Sequence, residues 1–477
     1  MSDNPFPPIP PMEFPDQEAR LGAASNRMAF LRRRRAAIAG GGAAALLLAV
    51  VLPLALSGGS SHARSVQVLG PSTTSVPGTV AQVPVTTSPA ATSTVPASVV
   101  PTTRLVTSPT STSSSSSSSV PAATTTTVDL AGSGTWTSHQ VPTGDSSPLN
   151  AVACPSATEC LAVSGDPAGQ EAGTVLASSD GGATWTIAYT SSAPPTSPAS
   201  GVPVDFDGIA CPSTSVCVAI GTVASNNTTE AVAEQTTDGG HTWSQLSLPG
   251  TQISYPTAVA CVSAQTCLIA GSDTSATTTN GSDPVVIRTT DGGSTWSTVS
   301  VPSGMAQATS LWCSTTDFCL LGGAGPGPTA SSKALASTSH DGGVTWSAPV
   351  TSGDVLLASI SCANAHYCVG VDGTDGTNTY GIGELNVTDN AGTTWTAPTG
   401  PSANSVSCTA DMCLTVGATY TGGTNYPATA YLTTNGTNWV AVTPRGLQGL
   451  SSVACPTSTH CVAVGSLNSP VIVTYSR

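Results

Sequence analysis

The stretch that decides the fold reads Thr236-Thr-Asp238-Gly-Gly240-His-Thr-Trp243, and related versions of it recur along the chain. The aspartate and the first hydroxyl residue can exchange hydrogen bonds with turn backbone, and the adjacent glycines permit positive φ. The tryptophan is suited to start the next strand and to pack between neighbouring units. The stretch therefore predicts a self-supporting turn between two β-strands.

This segment occurs in six versions, of which four are complete and two carry asparagine in place of the aspartate. The acidic or amide residue and the tryptophan of each version are Asp180 and Trp185, Asp238 and Trp243, Asp291 and Trp296, Asp341 and Trp346, Asn390 and Trp395, and Asn435 and Trp439. Because turn chemistry already accounts for these residues, we expect them to be structural and not catalytic.

A cysteine repeat with a period of roughly 50 residues runs in phase with these segments and uses every cysteine of the chain. The pairs are Cys154/Cys160, Cys211/Cys217, Cys261/Cys267, Cys313/Cys319, Cys362/Cys368, Cys408/Cys413 and Cys455/Cys461. Each pair lies between two short β-rich runs, which predicts a hairpin whose cysteines face each other at a distance that a disulfide can bridge. Zinc is the alternative, but zinc pairs usually have only about two to four residues between the cysteines.

The aspartate-glycine segment resembles the Asp-box, or BNR repeat, of sialidase-like β-propellers, and the resemblance covers residues 130–477. The whole domain is similar to the photosystem II stability and assembly factor-like propellers, which implies a non-enzymatic binding scaffold. Seven cysteine hairpins predict an all-β, seven-bladed propeller with four-stranded blades. Gly134-Thr-Trp136-Thr has the Thr-Trp start of a fourth strand, so we expect it to complete the last blade and close the ring.

The residues before the propeller divide into three predicted segments. Residues 1–35 form a basic, disordered cytoplasmic tail, and residues 36–57 form an uncharged stretch of about 33 Å as a helix, enough to span a bilayer. The basic residues before this span predict a cytoplasmic amino terminus and an extracytoplasmic propeller. Residues 58–129 are rich in Ser, Thr and Pro and predict a disordered stalk. The alternative is a signal peptide that is cleaved near Ala63.

Charge is scarce throughout the chain, with 12 Lys and Arg and 26 Asp and Glu among 477 residues. From residue 130 onward there are only four basic residues against 21 acidic ones. A nucleic-acid partner is excluded, because no basic patch can form. The near absence of Lys, with the low Ile content, is typical of a GC-rich bacterial genome.

The resemblance to sialidases would imply three arginines that grip a substrate carboxylate. The basic residues after position 130 are Arg288, Lys333, Arg445 and Arg477. Their positions in the sequence do not allow a convergent triad, and without bidentate recognition of a carboxylate, sialidase chemistry is unsupported. No cofactor is expected. No metal is expected either, since His241, His340, His366 and His460 lack the spacing of metal ligands.

Function is predicted on one end of the propeller, where loops between second and third strands and connections between blades vary in length. The candidate ligand-binding residues are Asp205, Phe206, Asp207, Asp372, Asp375, Tyr380, Tyr420 and Tyr426. Trp312 is a further candidate, because it breaks the small-residue pattern of the innermost strands and is expected to project toward the central channel. We expect them to bind a protein or a glycan at the cell surface, although plain solvated loops are the alternative for each residue. A second hypothesis is an exported glycoside hydrolase that uses Asp205/Asp207 or Asp372/Asp375 as its carboxylates. The Asp372–Asp375 segment is also a weak candidate for calcium.

Overall fold

The computed structural model describes residues 134–165, 172–191, 203–225, 228–249, 253–273, 283–315, 317–326, 332–373, 383–398, 402–419, 426–465 and 469–477. These residues form seven sheets of four strands each, so the fold is the predicted all-β, seven-bladed propeller. The predicted tail, membrane helix and stalk lie outside the described residues. In the part of the chain that is described, no helix is long and apolar enough to cross a bilayer.

The first described strand is β1 (Thr135–His139), and the blades follow it in order. Blade 1 consists of β2 (Leu149–Ala153), β3 (Cys160–Ser164), β4 (Thr174–Ser178) and β5 (Thr186–Thr190). Blade 2 consists of β6 (Asp205–Ala210), β7 (Cys217–Ser225), β8 (Thr228–Thr236) and β9 (Ser244–Gln245). Blade 3 consists of β10 (Tyr255–Cys261), β11 (Cys267–Asp273), β12 (Asp283–Thr289) and β13 (Ser297–Val299).

The remaining blades repeat this pattern of antiparallel neighbours. Blade 4 consists of β14 (Gln307–Cys313), β15 (Cys319–Ala324), β16 (Ala334–Ser339) and β17 (Val350–Gly353). Blade 5 consists of β18 (Leu357–Cys362), β19 (Cys368–Asp372), β20 (Gly383–Thr388) and β21 (Ser402–Ala403). Blade 6 consists of β22 (Ser405–Cys408), β23 (Cys413–Ala418), β24 (Ala428–Thr433) and β25 (Val440–Ala441).

Blade 7 joins the two ends of the chain, as predicted. It consists of β26 (Leu450–Thr457), β27 (His460–Gly465), β28 (Val471–Ser476) and, as its outer strand, β1. The register runs from Thr135 opposite Ser476 to His139 opposite Ile472. The first strands of consecutive blades contact each other in a closed cycle, from β2 through β26 and back to β2, and this places them innermost in the ring.

The seven predicted disulfides are all present. In every pair the Cα atoms are 3.9 to 4.1 Å apart, and no cysteine is free. In blades 1 to 6, the first cysteine lies at or next to the end of the first strand, and the second cysteine begins the second strand. In the chain-entropy model, closing a loop this small contributes about 2 kcal/mol.

Blade 7 departs from this arrangement in the position of its second cysteine. The first strand, β26, continues past Cys455 to Thr457, and its register shifts before Thr457 pairs with His460. Cys461 is therefore the second residue of β27 and does not face Cys455 in the strand ladder. The bridge still forms across the irregular hairpin, with Cα atoms 4.0 Å apart.

The disulfides are part of the core and not of the surface. The second cysteine of every pair exposes at most 1% of its surface, and these residues are Cys160, Cys217, Cys267, Cys319, Cys368, Cys413 and Cys461. Cys461, for example, has no exposed surface and packs with Ala463 and Tyr475 in the core cluster of blades 6 and 7. The second cysteines are therefore structural, whereas most first cysteines are half-buried.

The hydrophobic core lies largely between adjacent blades. One cluster combines Leu161 and Val175 of blade 1 with Phe206 and Val232 of blade 2, and other clusters likewise combine neighbouring blades. The second strands, such as β3 and β15, are buried along their whole length because they are covered on both faces. Each blade therefore depends on its neighbours for burial, and the closing strand matters to the whole ring.

Candidate functional site

The ring has two ends of different character, and the first is called the turn face here. It carries the seven disulfide hairpins and the turns between third and fourth strands. Backbone hydrogen bonds join the two within a blade, for example from Gly181 N to Thr158 O at 2.8 Å and from Gly239 N to Ser215 O at 2.9 Å. The opposite end, called the variable face, carries the loops between second and third strands and the connections between blades.

The turn of blade 1 shows how the Asp-Gly-Gly segment holds itself together. The Asp180 Oδ1 atom accepts the Thr184 N–H at 2.9 Å, and Oδ2 accepts the Thr184 hydroxyl at 2.6 Å. The Ser178 hydroxyl oxygen accepts the Gly182 N–H at 2.8 Å, and the Trp185 indole N–H donates to Gly182 O at 2.8 Å. Gly181 and Gly182 have φ of 72° and 89°, which favours glycine. The aspartate is thus used within the turn.

The same carboxylate contacts recur at Asp238, Asp291 and Asp341. In all four turns, hydrogen bonds from the threonine hydroxyl and backbone hold the pKa of the aspartate at about 2, below its usual value of 3.8. These carboxylates are therefore ionised at neutral pH and are poor candidates for proton transfer.

The two asparagine versions keep much of this geometry. Asn390 Oδ1 accepts the Thr394 N–H at 2.9 Å, while its Nδ2 donates to the Thr394 hydroxyl at 2.8 Å and so reverses one hydrogen bond. Ala391 takes the place of a glycine with φ of 59°, a conformation that costs an L-residue about 1 kcal/mol. In the shortened version, Asn435 Oδ1 accepts the Asn438 N–H at 2.9 Å.

The predicted ligand residues of blade 2 divide between surface and core. Asp205 is half-buried at the start of β6, and its carboxylate packs over Gly165 of blade 1. Asp207 is half-buried at a β-bulge of the same strand. Phe206 has no exposed surface and belongs to the core between blades 1 and 2, so the structure corrects its predicted place among ligand contacts.

The bulge of β6 belongs to a ring of similar positions on the innermost strands. Asn150 Nδ2 donates to Phe206 O of the next blade at 2.5 Å. Equivalent hydrogen bonds run from Thr257 to Ala308 O, from Thr309 to Leu357 O and from Asn404 to Leu450 O, at 2.8, 2.6 and 3.0 Å. Asp207 occupies the corresponding position of blade 2, where it places a carboxyl group among neutral side chains.

Trp312 lies at the turn-face end of β14 and not among the variable loops. Its ring packs near Phe318, with centroids 6.3 Å apart, at the edge of the core between blades 4 and 5. It also lines an open depression of about 190 Å³ formed by the ends of three neighbouring first strands, with Ala210 and Val259 on the other walls. The large side chain of Trp312 thus forms one wall of this depression.

Asp372 and Tyr426 are buried as well, with 6% and 5% of their surface exposed. The Asp372 Oδ2 atom accepts the Asp354 N–H at 2.9 Å, and burial raises the pKa of Asp372 to about 6. These two residues are therefore structural in position. The remaining predicted ligand residues, Asp375, Tyr380 and Tyr420, lie outside the described residues. Within the described ranges, no group of His, Cys, Asp and Glu is arranged to hold a metal ion.

A polar cluster between blades 1 and 2 was missed by sequence reasoning. Glu234 on β8 is 2% exposed, accepts a hydrogen bond from the Ser191 hydroxyl and lies beside the Tyr189 phenol. Burial raises the pKa of Glu234. Its partners lie more than 40 positions away in another blade, so no local motif could have indicated the contact.

The basic residues of the propeller are dispersed. Arg288 donates its Nε–H to Gly342 O of the next blade at 2.8 Å, on the turn face. Arg445 lies in the connection from blade 6 to blade 7, and Lys333 pairs with Asp354 at 2.5 Å on the variable face. Arg477 ends the chain on the turn face, where its N–H donates to Thr459 O at 3.0 Å.

No protein-family model matches the chain, and no curated protein matches it either. Among solved structures, "YCF48 bound to D1 peptide" is 14% identical with a TM-score of 0.48, over 72% of this chain and 97% of that one. YCF48 from Cyanidioschyzon merolae is 15% identical with a TM-score of 0.46, over 72% of this chain and 98% of that one. The GH74 xyloglucanase from Xanthomonas campestris is 14% identical with a TM-score of 0.50, over 70% of this chain and 52% of that one. Likeness at this level of identity concerns the fold alone.

Proposed function

We propose that this chain is a membrane-tethered, extracytoplasmic propeller that binds a protein or a glycan through its variable face without catalysing a reaction. The observation that carries the proposal is the position of the two ends of the ring. Thr135 pairs with Ser476, and Arg477 bonds to the hairpin residue Thr459, so the chain joins and leaves the ring on the turn face. The first described strand therefore enters the ring at the end opposite to the variable face.

The use of the turn face for internal structure also favours the opposite end as the binding surface. In the turns, the carboxylates and hydroxyls form hydrogen bonds with the backbone of the same turn. The turns are also short and repetitive. The variable face instead carries connections between blades that differ in length, and it bears Asp205, Lys333 and Arg445 within the described residues. Binding residues are found disproportionately on loops that a rigid scaffold positions.

The arginines of the propeller lie far from one another, which supports a binding role and not sialidase-like catalysis. Arg288 and Arg477 lie on the turn face in blades 3 and 7, whereas Arg445 lies in the connection on the opposite end. Three guanidinium groups on two ends of the ring cannot grip one carboxylate. A hydrolase of another kind would need two carboxylates that flank a sugar. Of the pairs considered, Asp205 and Asp207 are half-buried on one strand, and Asp372 is buried in contact with blade 4.

The test uses residues 130–477, which contain every strand of the closed ring. The purified propeller is applied to glycan arrays and incubated with fluorogenic glycosides, beside an Asp207→Asn variant and an Asp411→Asn control on the exposed turn face. We expect no turnover by any of the three. Turnover that is lost in Asp207→Asn and kept in Asp411→Asn would contradict the proposal and favour the glycoside hydrolase.

A further inference from the structure

Two carboxyl groups are buried where the outer part of one blade meets the next blade. Glu234 and Asp372 expose only 2% and 6% of their surface, and each lies in a contact between consecutive blades. We call these contacts the 1–2 junction and the 4–5 junction. Neither carboxyl group belongs to the turns, and the proposed binding function does not use them.

The 4–5 junction brings several acidic groups together. Asp372 Oδ2 accepts the Asp354 N–H at 2.9 Å, and Asp372 Oδ1 is buried without a hydrogen bond of good geometry. The Asp354 N–H and the Asn386 amide favour the ionised form, but by less than burial disfavours it. The Asp354 and Glu384 carboxylates both act on Asp372 as like charges, and the Asn386 amide packs beside it against Gly353. Lys333 is the nearby cation, and it is exposed and paired with Asp354 instead.

The 1–2 junction also contains a buried carboxyl group, but fewer titratable side chains surround it. Glu234 Oε1 accepts the hydrogen bond from the Ser191 hydroxyl, and the Tyr189 phenol lies beside the same carboxyl group. Both hydroxyls favour the ionised form, but by less than burial disfavours it. The titratable group that faces Glu234 is Tyr189 on β5, which stacks on Trp243 with ring centroids 6.0 Å apart. Within the described residues, no cation pairs with either buried carboxyl group.

An ionised carboxylate in such a place is unfavourable, because it is removed from water and no opposite charge compensates it. Protonation removes the charge and converts one carboxyl oxygen from an acceptor into a possible donor. At the 4–5 junction it also relieves the repulsion from Asp354 and Glu384.

We propose that the 1–2 and 4–5 junctions take up protons in mildly acidic surroundings and that the propeller is therefore more stable near pH 5 than at neutral pH. Burial raises the pKa of Asp372 from 3.8 to about 6, and it raises the pKa of Glu234 from 4.5. A raised pKa in the folded state means that protons bind the folded state more tightly. Stability is then gained as the pH falls through about 6, and the gain is complete below the unfolded value.

The turns set the lower limit of this range. Their aspartates have pKa values lowered to about 2, so their contribution is present above about 4 and is lost as the pH falls towards 2. Optimal stability is consequently expected between about pH 4 and pH 5, where the buried carboxyl groups are largely protonated and the turn carboxylates are still ionised.

The experiment measures unfolding of residues 130–477 at pH 7.5 and pH 5.0 in 0.5 M NaCl, which screens repulsion between exposed carboxylates. From the Asp372 pKa alone, the folding equilibrium constant should rise about tenfold between these two pH values. Asp372→Asn and Glu234→Gln should each reduce this pH effect, whereas Asp411→Asn, which removes one exposed carboxylate, should retain it. A full effect in both buried variants, or no effect in the parent protein, would overturn the proposal.

Amide exchange and melting with calcium provide two further tests of the proposal. If Asp372→Asn does not fold, amide exchange of the fully buried strand β19 is followed in the parent protein, since core amides exchange through global unfolding. The protection factors of these amides should be higher at pH 5.0 than at pH 7.5, and equal protection would overturn the proposal. Melting at pH 7.5 with calcium chloride or EDTA tests a cation as the neutralising group. A shift with calcium that is absent in a folded Asp372→Asn or Glu234→Gln variant would also overturn it.

Discussion

Replacing Trp136 by alanine should loosen the strand that closes the ring while the other blades keep their pairing. Trp136 is half-buried on β1, its ring centroid lies 5.0 Å from that of Tyr475, and its indole N–H donates to Val442 O. Tyr475 itself has no exposed surface. The side chain therefore links the closing strand both to β28 and to the neighbouring blade 6.

The expected loss in the free energy of unfolding follows from these contacts. A fully buried tryptophan costs about 3 to 5 kcal/mol when it is truncated, so we take about 2 kcal/mol for a half-buried one. The lost indole hydrogen bond adds about 1 kcal/mol. For a domain of about 340 residues, a total of about 3 kcal/mol lowers Tm by about 4 °C.

The assay is amide hydrogen exchange along β28, together with thermal melting. In Trp136→Ala, exchange of β28 amides should increase because β1 detaches more often. The matched control is Trp243→Ala, which removes a half-buried tryptophan that donates to Gly240 O at 3.1 Å in blade 2. Its effect should remain near blades 1 and 2. Equal exchange along β28 in both variants would refute the reasoning that β1 closes the ring.

Three other perturbations test the turns and the hairpins. Ala391→Gly should raise the free energy of unfolding by about 0.5 kcal/mol, because it relieves a residue held at φ of 59°, and the reciprocal Gly239→Ala should lower it by about 1 kcal/mol in urea titrations. Replacing both Cys154 and Cys160 by serine should cost about 2 kcal/mol in the same titrations, and an unchanged midpoint would contradict the entropic account. Asp291→Asn should flatten the loss of stability that thermal melts detect between about pH 4 and pH 2, since the lowered pKa of Asp291 contributes in that range.

The sequence was sufficient for the parts of the fold that repeat. Cysteines at fixed spacing predicted the seven disulfides, and the Thr-Trp start at Trp136 predicted which strand completes blade 7. Both inferences work because a repeated unit must satisfy the same local geometry every time. The irregular hairpin around Cys461 could not be predicted, because its cysteine spacing is that of the regular hairpins.

The candidate site was less predictable because its residues are placed by contacts between blades. Phe206 and Tyr426 lie next to variable loops in the sequence, yet both are buried. The environment of Glu234 is set by Tyr189 and Ser191 of another blade, which no local pattern relates to it. Loop residues can be assigned to one end of the propeller from strand order, but the direction of each side chain depends on packing.

The most direct test of binding through the variable face is site-specific photo-crosslinking in intact cells. The crosslinker is placed at exposed positions on the variable face, Lys333 and Arg445, and on the turn face, Ser294 and Asp411. We expect one partner species to be captured from the variable-face positions and not from the turn-face positions. Capture from Ser294 or Asp411, with none from Lys333 or Arg445, would contradict this expectation.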